Sequence, residues 1–286
     1  MLDYGILLDY FCKPKGSKDL AISYFLSHVH TDHVQGLRAN WKNGTLYCSQ
    51  DTLKLLEIMY GDELIKHVQV LAPYVWHDVL SFKVALLPAN HCFGSTMFVF
   101  NLGGKYVVYT GDYRLSRQIL EWTGFPTRVD WLMFDSTFHD KNLKLPTMDE
   151  SVHALENVVK HIEHEQRIYI HLHGLGVEHF VIAWINKFKR DVLIDVKSPT
   201  MNVSIRDRLK SDHKAHIIIT DQRHEGIVIR PCCKWFVMHN CKDPWTFDTT
   251  HSIYRVWYSQ HASYAENMKL IDRLNPTHTT ECVEQI

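Results

Sequence analysis

The chain has 286 residues, 45% of them hydrophobic, and its 31 basic and 32 acidic side chains leave a formal charge of −1. That is enough for a large core or two joined domains of a soluble globular protein, and the near-neutral charge does not mark a general polyanion binder, so any polyanion must be met by local patches and metal ions. Seven cysteines, an odd set without Cys-x-x-Cys spacing, indicate reduced intracellular thiols; there is no export signal and no apolar run of spanning length, so no membrane association is expected.

In chain order, Gly5 to Leu8 reads as a short strand ending on Asp9. Lys13 to Lys18 is a basic turn, either a solvated loop or a phosphate contact. The run Ile22 to Leu26 predicts a buried strand, which leads into His28-Val29-His30-Thr31-Asp32-His33. Val34 to Leu37 then reads as the first turns of a helix. Thr45 to Cys48 is a strand and Gln50 to Met59 an amphipathic helix. Phe82 to Pro88 and Thr96 to Phe100 are strands around a loop that carries His91 and Cys92. Lys105 to Tyr109 is a strand leading to Asp112, and Val129 to Phe134 one leading to Asp135-Ser136-Thr137. Layered α/β folds build their sites from loops at strand ends, and here those ends gather Asp9, the His28 cluster, His91, Asp112 and Asp135.

From about residue 139 the texture changes. Helices are predicted over 149–163, 177–188 and 201–210, alternating with strands over 168–172, 192–196 and 217–220, which suggests a second unit with a parallel sheet flanked by helices. Ile227 to Arg230 and Trp235 to Met238 read as further strands. Cys232, Cys233, His239 and Cys241 fit no standard zinc knuckle. Tyr254 to Tyr258 is a strand and Ala262 to Leu274 a helix. Ser259, His261 and Ser263 lie at their junction, read either as an anion site at a helix start or as an N-cap serine with an incidental histidine.

With 20 histidines in the chain, most are satisfied core or surface residues. Four ligand-type side chains within six residues behind a buried strand are a metal motif. His28 and His30, two apart in an extended segment, can converge on one ion, and His91 with Asp112 completes a tetrahedral N/O set that suits zinc. Asp32 and His33 are left over; if Asp112 bridges, they form a second site at the roughly 3.5 to 4 Å separation of two-metal hydrolases. Asp9 would hold a histidine N–H in the ligating tautomer, and Asp135, with Thr137 beside it, would position the second metal or a water. These residues do not say whether the attacked bond is an amide, a thioester or a phosphodiester.

Phe25 to His33 followed by Gly36-Leu37-Arg38-Ala39, then Asn90-His91-Cys92-x-Gly94-Ser95, Tyr109 to Arg114, and Tyr258-Ser259-x-His261-x-Ser263-Tyr264, resemble the DNA cross-link repair nucleases. The resemblance is tight over residues 5–138 and 253–275 and loose between. It implies an α/β fold, a metallo-β-lactamase αββα sandwich (1–138 with a return segment 253–286) and an inserted β-CASP α/β cap (139–252). It implies a first zinc on His28, His30, His91 and Asp112. A second divalent ion, zinc, magnesium or manganese, would sit on Asp32, His33 and Asp112. Asp9, Asp32, Asp112 and Asp135 would be the catalytic acids, with Ser259, His261, Ser263 and Thr137 towards the substrate. The implied partners are DNA ends, single-stranded, hairpin or overhanging, and DNA end-joining factors, with a nuclear address. Gly176 to Phe180, and Ile229-Arg230-Pro231 ahead of Trp235-Phe236, lean towards one branch of the family. Phe93 stands where the family has proline and Ala262 where it has serine, and Ile219 to His224 lacks the His-x-Cys of a cap zinc, so none is expected.

Three other readings remain. An RNA-processing β-CASP nuclease shares the motifs. A small-molecule hydrolase of the same fold has no use for a cap of roughly a hundred residues. A non-catalytic DNA-end binder would have no need of the complete set of acids and histidines.

Overall fold

The computed structural model describes residues 1, 4–14, 21–162 and 167–282. Part of the basic turn, Lys15 to Lys18, and Glu163 lie outside the described residues. The chain divides into two compact units, Met1–Leu143 with His261–Ile286, and Lys144–Gln260. Among the described residues no helix is long and apolar enough to cross a membrane.

The first unit runs β1 (Ile6–Leu8), β2 (Ser23–Phe25), β3 (Thr45–Cys48), α1 (Gln50–Tyr60), α2 (Asp62–Ile65), β4 (Val68–Val70), β5 (Trp76–Val79), β6 (Phe82–Pro88), β7 (Thr96–Leu102), β8 (Lys105–Tyr109), α3 (Arg117–Glu121) and β9 (Trp131–Asp135). The second follows with α4 (Met148–Ile162), β10 (Ile168–His171), α5 (Val177–Phe188), β11 (Leu193–Asp195), α6 (Pro199–Arg206), β12 (Ile217–Thr220), β13 (Ile227–Cys232), α7 (Lys234–Met238), β14 (Trp245–Asp248) and β15 (Ile253–Trp257). The chain returns to the first unit with α8 (Tyr264–Leu274) and β16 (His278–Cys282).

The first unit holds a parallel four-stranded sheet, β1-β2-β3-β4, and a mixed six-stranded sheet, β16-β9-β8-β7-β6-β5. Phe25 of β2 joins their core: its ring lies 5.0 Å from Tyr47 of β3 and 5.3 and 5.0 Å from Phe98 and Phe100 of β7. Fully buried aromatics of this kind dominate core energetics, so the strand that feeds the His28 loop is anchored to both sheets. The second unit has its own sheet, β11-β12-β10-β13-β15-β14, parallel except for the edge strand β14, and its own core around Trp184, Phe180 and the isoleucines of β10, β12 and β13.

Two sequence expectations change. No helix follows His33. Phe11 N–H donates to Gln35 O at 2.8 Å, and Tyr10 bridges Gln35, so the chain after His33 is pinned to the segment after β1. Gly36 sits there at φ +86°, where a Cβ would come within 2.5 Å of Cys12 Sγ. Trp235 to Met238 is helical, within α7, because its aromatics cap β15: Phe236 stacks on Trp257 at 5.3 Å and Trp235 lies 5.0 Å from the Arg255 guanidinium. By compactness the two units divide at 143/144 and 260/261. The reason is β15, whose backbone pairs with β13 and β14.

One buried ion pair ties β14 to β15. Arg255 donates to Asp248 Oδ2 at 2.7 Å, and His251 Nδ1 lies 2.9 Å from the same oxygen. Desolvation opposes ionisation of Asp248, but Arg255 and His251 hold its pKa down at about 2. A depressed carboxylate pKa stabilises the fold above the unfolded value and loses that contribution as pH falls through the folded one. Asp248→Asn is expected to destabilise the protein at neutral pH by on the order of 3 kcal/mol in urea unfolding, with the gap to wild type closing as pH falls from about 4 towards 2.

Candidate metal centre

The ligand-type residues of the first unit come from loops after strands. β2 is wholly buried and delivers Ser27 and His28 at its end. Ser27 fixes the direction of that loop. Its N–H donates to Asp9 Oδ1 at 2.7 Å and its hydroxyl to Asp9 Oδ2 at 2.5 Å, while its carbonyl accepts from Thr96 N at 2.9 Å. Gly111, at φ +51° after β8, makes this possible, since a Cβ there would meet Ser27 Cβ at 2.7 Å. His91 is held by Ser95, whose hydroxyl accepts from the N–H groups of His91 and Cys92 at 3.1 Å each.

Four side chains converge. His30 Nδ1 lies 3.0 Å from His28 Nε2 and 3.0 Å from His91 Nε2, and both of those nitrogens lie 3.5 Å from Asp112 Oδ2. A tetrahedral ion with N and O ligands at roughly 2.0 to 2.1 Å needs donors about 3.3 Å apart, so the spacing fits such an ion. His28 and His91 are fully buried. Burial, and then the neighbouring imidazoles His91, His33, His30 and His261, hold the His28 pKa far below the usual value, which keeps its ring neutral with a lone pair to give. Together His28, His30, His91 and Asp112 can hold a metal ion.

Asp112 faces two ways. While Oδ2 faces His28 and His91, Oδ1 lies 3.5 Å from His33 Nε2, and His33 Nε2 lies 3.2 Å from Asp32 Oδ2. The other His33 nitrogen, Nδ1, is 2.7 Å from Asp9 Oδ2, which also accepts from the Tyr109 hydroxyl at 2.8 Å. Asp9, His28 and His33 are close enough to count as a ligand group, but the Asp9 oxygens already serve Ser27, Tyr109 and His33, so Asp9 orients its neighbours. Burial opposes protonation of His33, yet Asp9, Asp112 and Asp32 together raise its pKa well above the usual value. A ring so placed between carboxylates marks a position where the field favours a cation.

His261 belongs to a third group. Its Nδ1 is 3.0 Å from Asp135 Oδ2 and 3.9 Å from Asp112 Oδ2, and its ring lies 4.7 Å from that of His91. Asp112, Asp135 and His261 are also close enough to hold an ion. Burial resists ionisation of Asp135, but His261 and the Thr137 N–H keep its pKa below the carboxylate range. The histidine is thus gathered with the acids, ahead of the start of α8. Ser263 is the N-cap of α8: its hydroxyl accepts from Glu266 N at 3.2 Å and its N–H donates to Glu266 Oε2 at 2.8 Å. Ser263 and Glu266 thus form a capping box at the start of α8. Ser259 is buried in the second unit, and Thr137 turns its N–H to Asp135 Oδ1 at 3.0 Å. Sequence reasoning missed Ser27, Ser95 and Tyr109, whose only signal was a polar residue beside a ligand. Cys232, Cys233, His239 and Cys241 form no such group among the described residues.

A cleft of about 660 Å³ opens on this centre, lined in part by Asp9, Asp32, His33, Asp112 and Cys282. Burial, and then the carboxylates Asp135, Asp112 and Asp9, push the Cys282 thiol up to about 11, so it stays protonated.

No family model matches the chain. It is 30% identical to the DNA cross-link repair protein pso2/snm1 of Schizosaccharomyces pombe over 59% of this chain and 31% of that protein. It is 25% identical to the 5′ exonuclease Apollo of Rattus norvegicus over 92% and 51%, and 26% identical to Protein artemis of the same species over 90% and 45%. The chain is thus a distant homologue of the SNM1, Apollo and Artemis proteins, and it spans about half or less of the length of these three relatives. A crystal structure of a protein of unknown function from Enterococcus faecalis V583 matches with a TM-score of 0.64 over 93% of this chain and 76% of that one, at 16% identity. That likeness establishes a shared fold, and the mixed sheet with its His/Asp cluster is consistent with a metallo-β-lactamase fold.

Two outcomes follow from the geometry. Asp112→Ala and His91→Ala each remove a member of the His28, His30, His91 and Asp112 group and are expected to lower metal content, read by elemental analysis after gel filtration. Gly111→Ala pushes Ser27 away and adds strain of about 1 to 3 kcal/mol, so it should reduce metal content while circular dichroism stays near wild type.

Proposed function

We propose that this distant homologue of the SNM1, Apollo and Artemis proteins is a metal-dependent DNA nuclease, a 5′-exonuclease or structure-selective endonuclease acting in double-strand break or cross-link repair. The observation that carries this reading is Asp112, one carboxylate with Oδ2 3.5 Å from His28 and His91 and Oδ1 3.5 Å from His33. That arrangement suits a pair of divalent ions sharing a bridge, and the homology supports DNA as the substrate.

In this reading His28, His30, His91 and Asp112 hold zinc, and Asp32, His33 and Asp112 hold zinc, magnesium or manganese. Divalent ions there would lower the pKa of water and offset the negative charge that builds on an attacked phosphodiester. The protein's own groups do the rest. Asp9 takes the Nδ1–H of His33 and so turns Nε2 towards Asp32 and Asp112. Asp135 does the same for His261, so a proton exchanged with the substrate at that ring passes through Nε2. Thr137 supports Asp135, and the second unit, which carries Ser259 as a candidate substrate residue, we read as a β-CASP cap. Nuclear residence, DNA ends as substrate and DNA end-joining factors as partners complete the proposal. Gly176 to Phe180 lean towards the Artemis branch, but identities of 25% to Apollo and 26% to Artemis give that lean no support.

The test is cleavage of 5′-phosphorylated single-stranded DNA, a DNA hairpin and an RNA of the same sequence, with and without chelator. Cleavage of DNA that chelator stops and metal restores is expected, and Asp32→Ala should reduce it by at least roughly a hundredfold. Cleavage that chelator leaves untouched overturns the metal mechanism, and a preference for RNA overturns the DNA assignment.

A further inference from the structure

The sheet of the second unit is covered unequally. Alternate strand residues face opposite sides, and Ile168, Ile170, Ile219, Ile229 and Val256 join the side chains of α4 and α5 in one core. The other face carries Tyr169, His171, Val228, Arg230 and Arg255. Trp235 covers Arg255 at 5.0 Å, and His224 stacks on Tyr169 at 4.1 Å with the rings 9° apart. Between these covers His171 and Arg230 are half-exposed. They are also neighbours. Ile170 pairs with Ile229 in register, so the next residues on β10 and β13 stand side by side, strands being about 4.8 Å apart.

The charges in this row do not balance. Among the described residues the Arg230 side chain makes no hydrogen bond and no ion pair. The acids along the same row are already engaged: Asp248 with Arg255, Asp195 with Lys197 Nζ at 2.5 Å, and Asp221 with the N–H groups of Lys197 and Ser198 at 3.0 and 2.6 Å. A half-buried guanidinium is normally paired. Burial and then the field of Arg230 lower the pKa of His171 against the opposing pull of Asp221, and burial and Arg230 likewise lower that of His173. The start of α5 is not the anion's place, since the Glu178 carboxylate already accepts the Gly176 N–H.

We propose that Arg230 and His171 form a phosphate-binding position on this face of the second unit, taken by a phosphodiester of a nucleic acid strand. A guanidinium fork matches two phosphate oxygens, and the adjacent imidazole supplies a further donor. The inference deepens the nuclease reading and rests on it for the identity of the strand.

The experiment measures binding of a fluorescein-labelled single-stranded DNA oligonucleotide to the full chain in chelator, as a function of salt, beside the cleavage assay with metal. Each phosphate contact to a single strand adds about 0.7 to the slope of log K against log salt. Arg230→Gln is expected to weaken binding by roughly five- to tenfold at low salt and to reduce the slope by about 0.7; Arg230→Lys, which keeps the charge, should retain the slope. Unchanged affinity and slope in Arg230→Gln overturn the proposal, as does an equal loss in Arg230→Lys, which would mark a structural role. Inorganic phosphate is the control ligand: if it shifts the His171 ring resonances in a manner lost in Arg230→Gln, but the oligonucleotide affinity does not depend on Arg230, the position takes free phosphate and the strand assignment falls. A parent protein that binds DNA through Arg230 yet never cleaves it would sink the nuclease reading alone, whereas cleavage with no dependence of binding on Arg230 would sink this one alone.

Discussion

Asp9 is the constraint on which the metal centre depends. It follows β1 in a left-handed backbone conformation, φ 48°, and is almost fully buried. A buried carboxylate is costly unless hydrogen bonds satisfy it. Here it accepts from the Ser27 N–H, the Ser27 hydroxyl and the Tyr109 hydroxyl, and it pairs with His33. Those partners come from the ends of β2 and β8 and from the motif loop. One side chain therefore registers the four-stranded sheet against the mixed one at the point where the donors emerge. The close packing of Gly111 on Ser27 serves the same register from the other side.

The electrostatics of the centre follow from that geometry. Two kinds of histidine sit within one cluster. His28 is driven neutral by burial and by other imidazoles, whereas His33 is driven towards protonation by Asp9, Asp112 and Asp32. The contrast comes from which groups each ring faces, since both rings are mostly enclosed. Neutral nitrogens lie on one side of Asp112 and a carboxylate-rich pocket on the other, so in the two-ion reading we propose the first set offers mainly nitrogen and the second mainly oxygen. Ions of different hardness are matched to such sets.

Much of this was legible in the sequence because it is local. Strand, turn and ligand lie within a few residues of each other at His28, His91, Asp112 and Asp135, so period and turn chemistry sufficed to place them at strand ends. What failed was non-local. Val34 to Leu37 had a helical pattern, yet pairing of Gln35 with the segment after β1 overrode it. Trp235 to Met238 had strand composition, but stacking on Trp257 and Arg255 made it a helix. β16 escaped notice since its residues are largely exposed, leaving no apolar period to read. His261 was found, but its partner Asp135 lies 126 residues away, a distance no spacing rule spans.

The second unit shows a signal that the strand pattern carried and that a parallel-sheet reading obscured. Strands buried on both faces read as continuous apolar runs, and β12, Ile217 to Ile219, is of that kind. β10 and β13 are not: Ile-Tyr-Ile-His alternates buried with half-exposed positions, and in Ile-Val-Ile-Arg only Ile229 is buried. Alternation in a parallel strand means that one face is incompletely covered. The cover that exists is built from single side chains, His224 and Trp235, because the connections on that side are a short loop and the five-residue α7. A longer helix would have closed the face over His171 and Arg230 and would have forced the guanidinium to find a carboxylate or be replaced. Among the described residues the Arg230 side chain has no ion pair, and it stands half-exposed beside the buried Arg255 of the neighbouring strand.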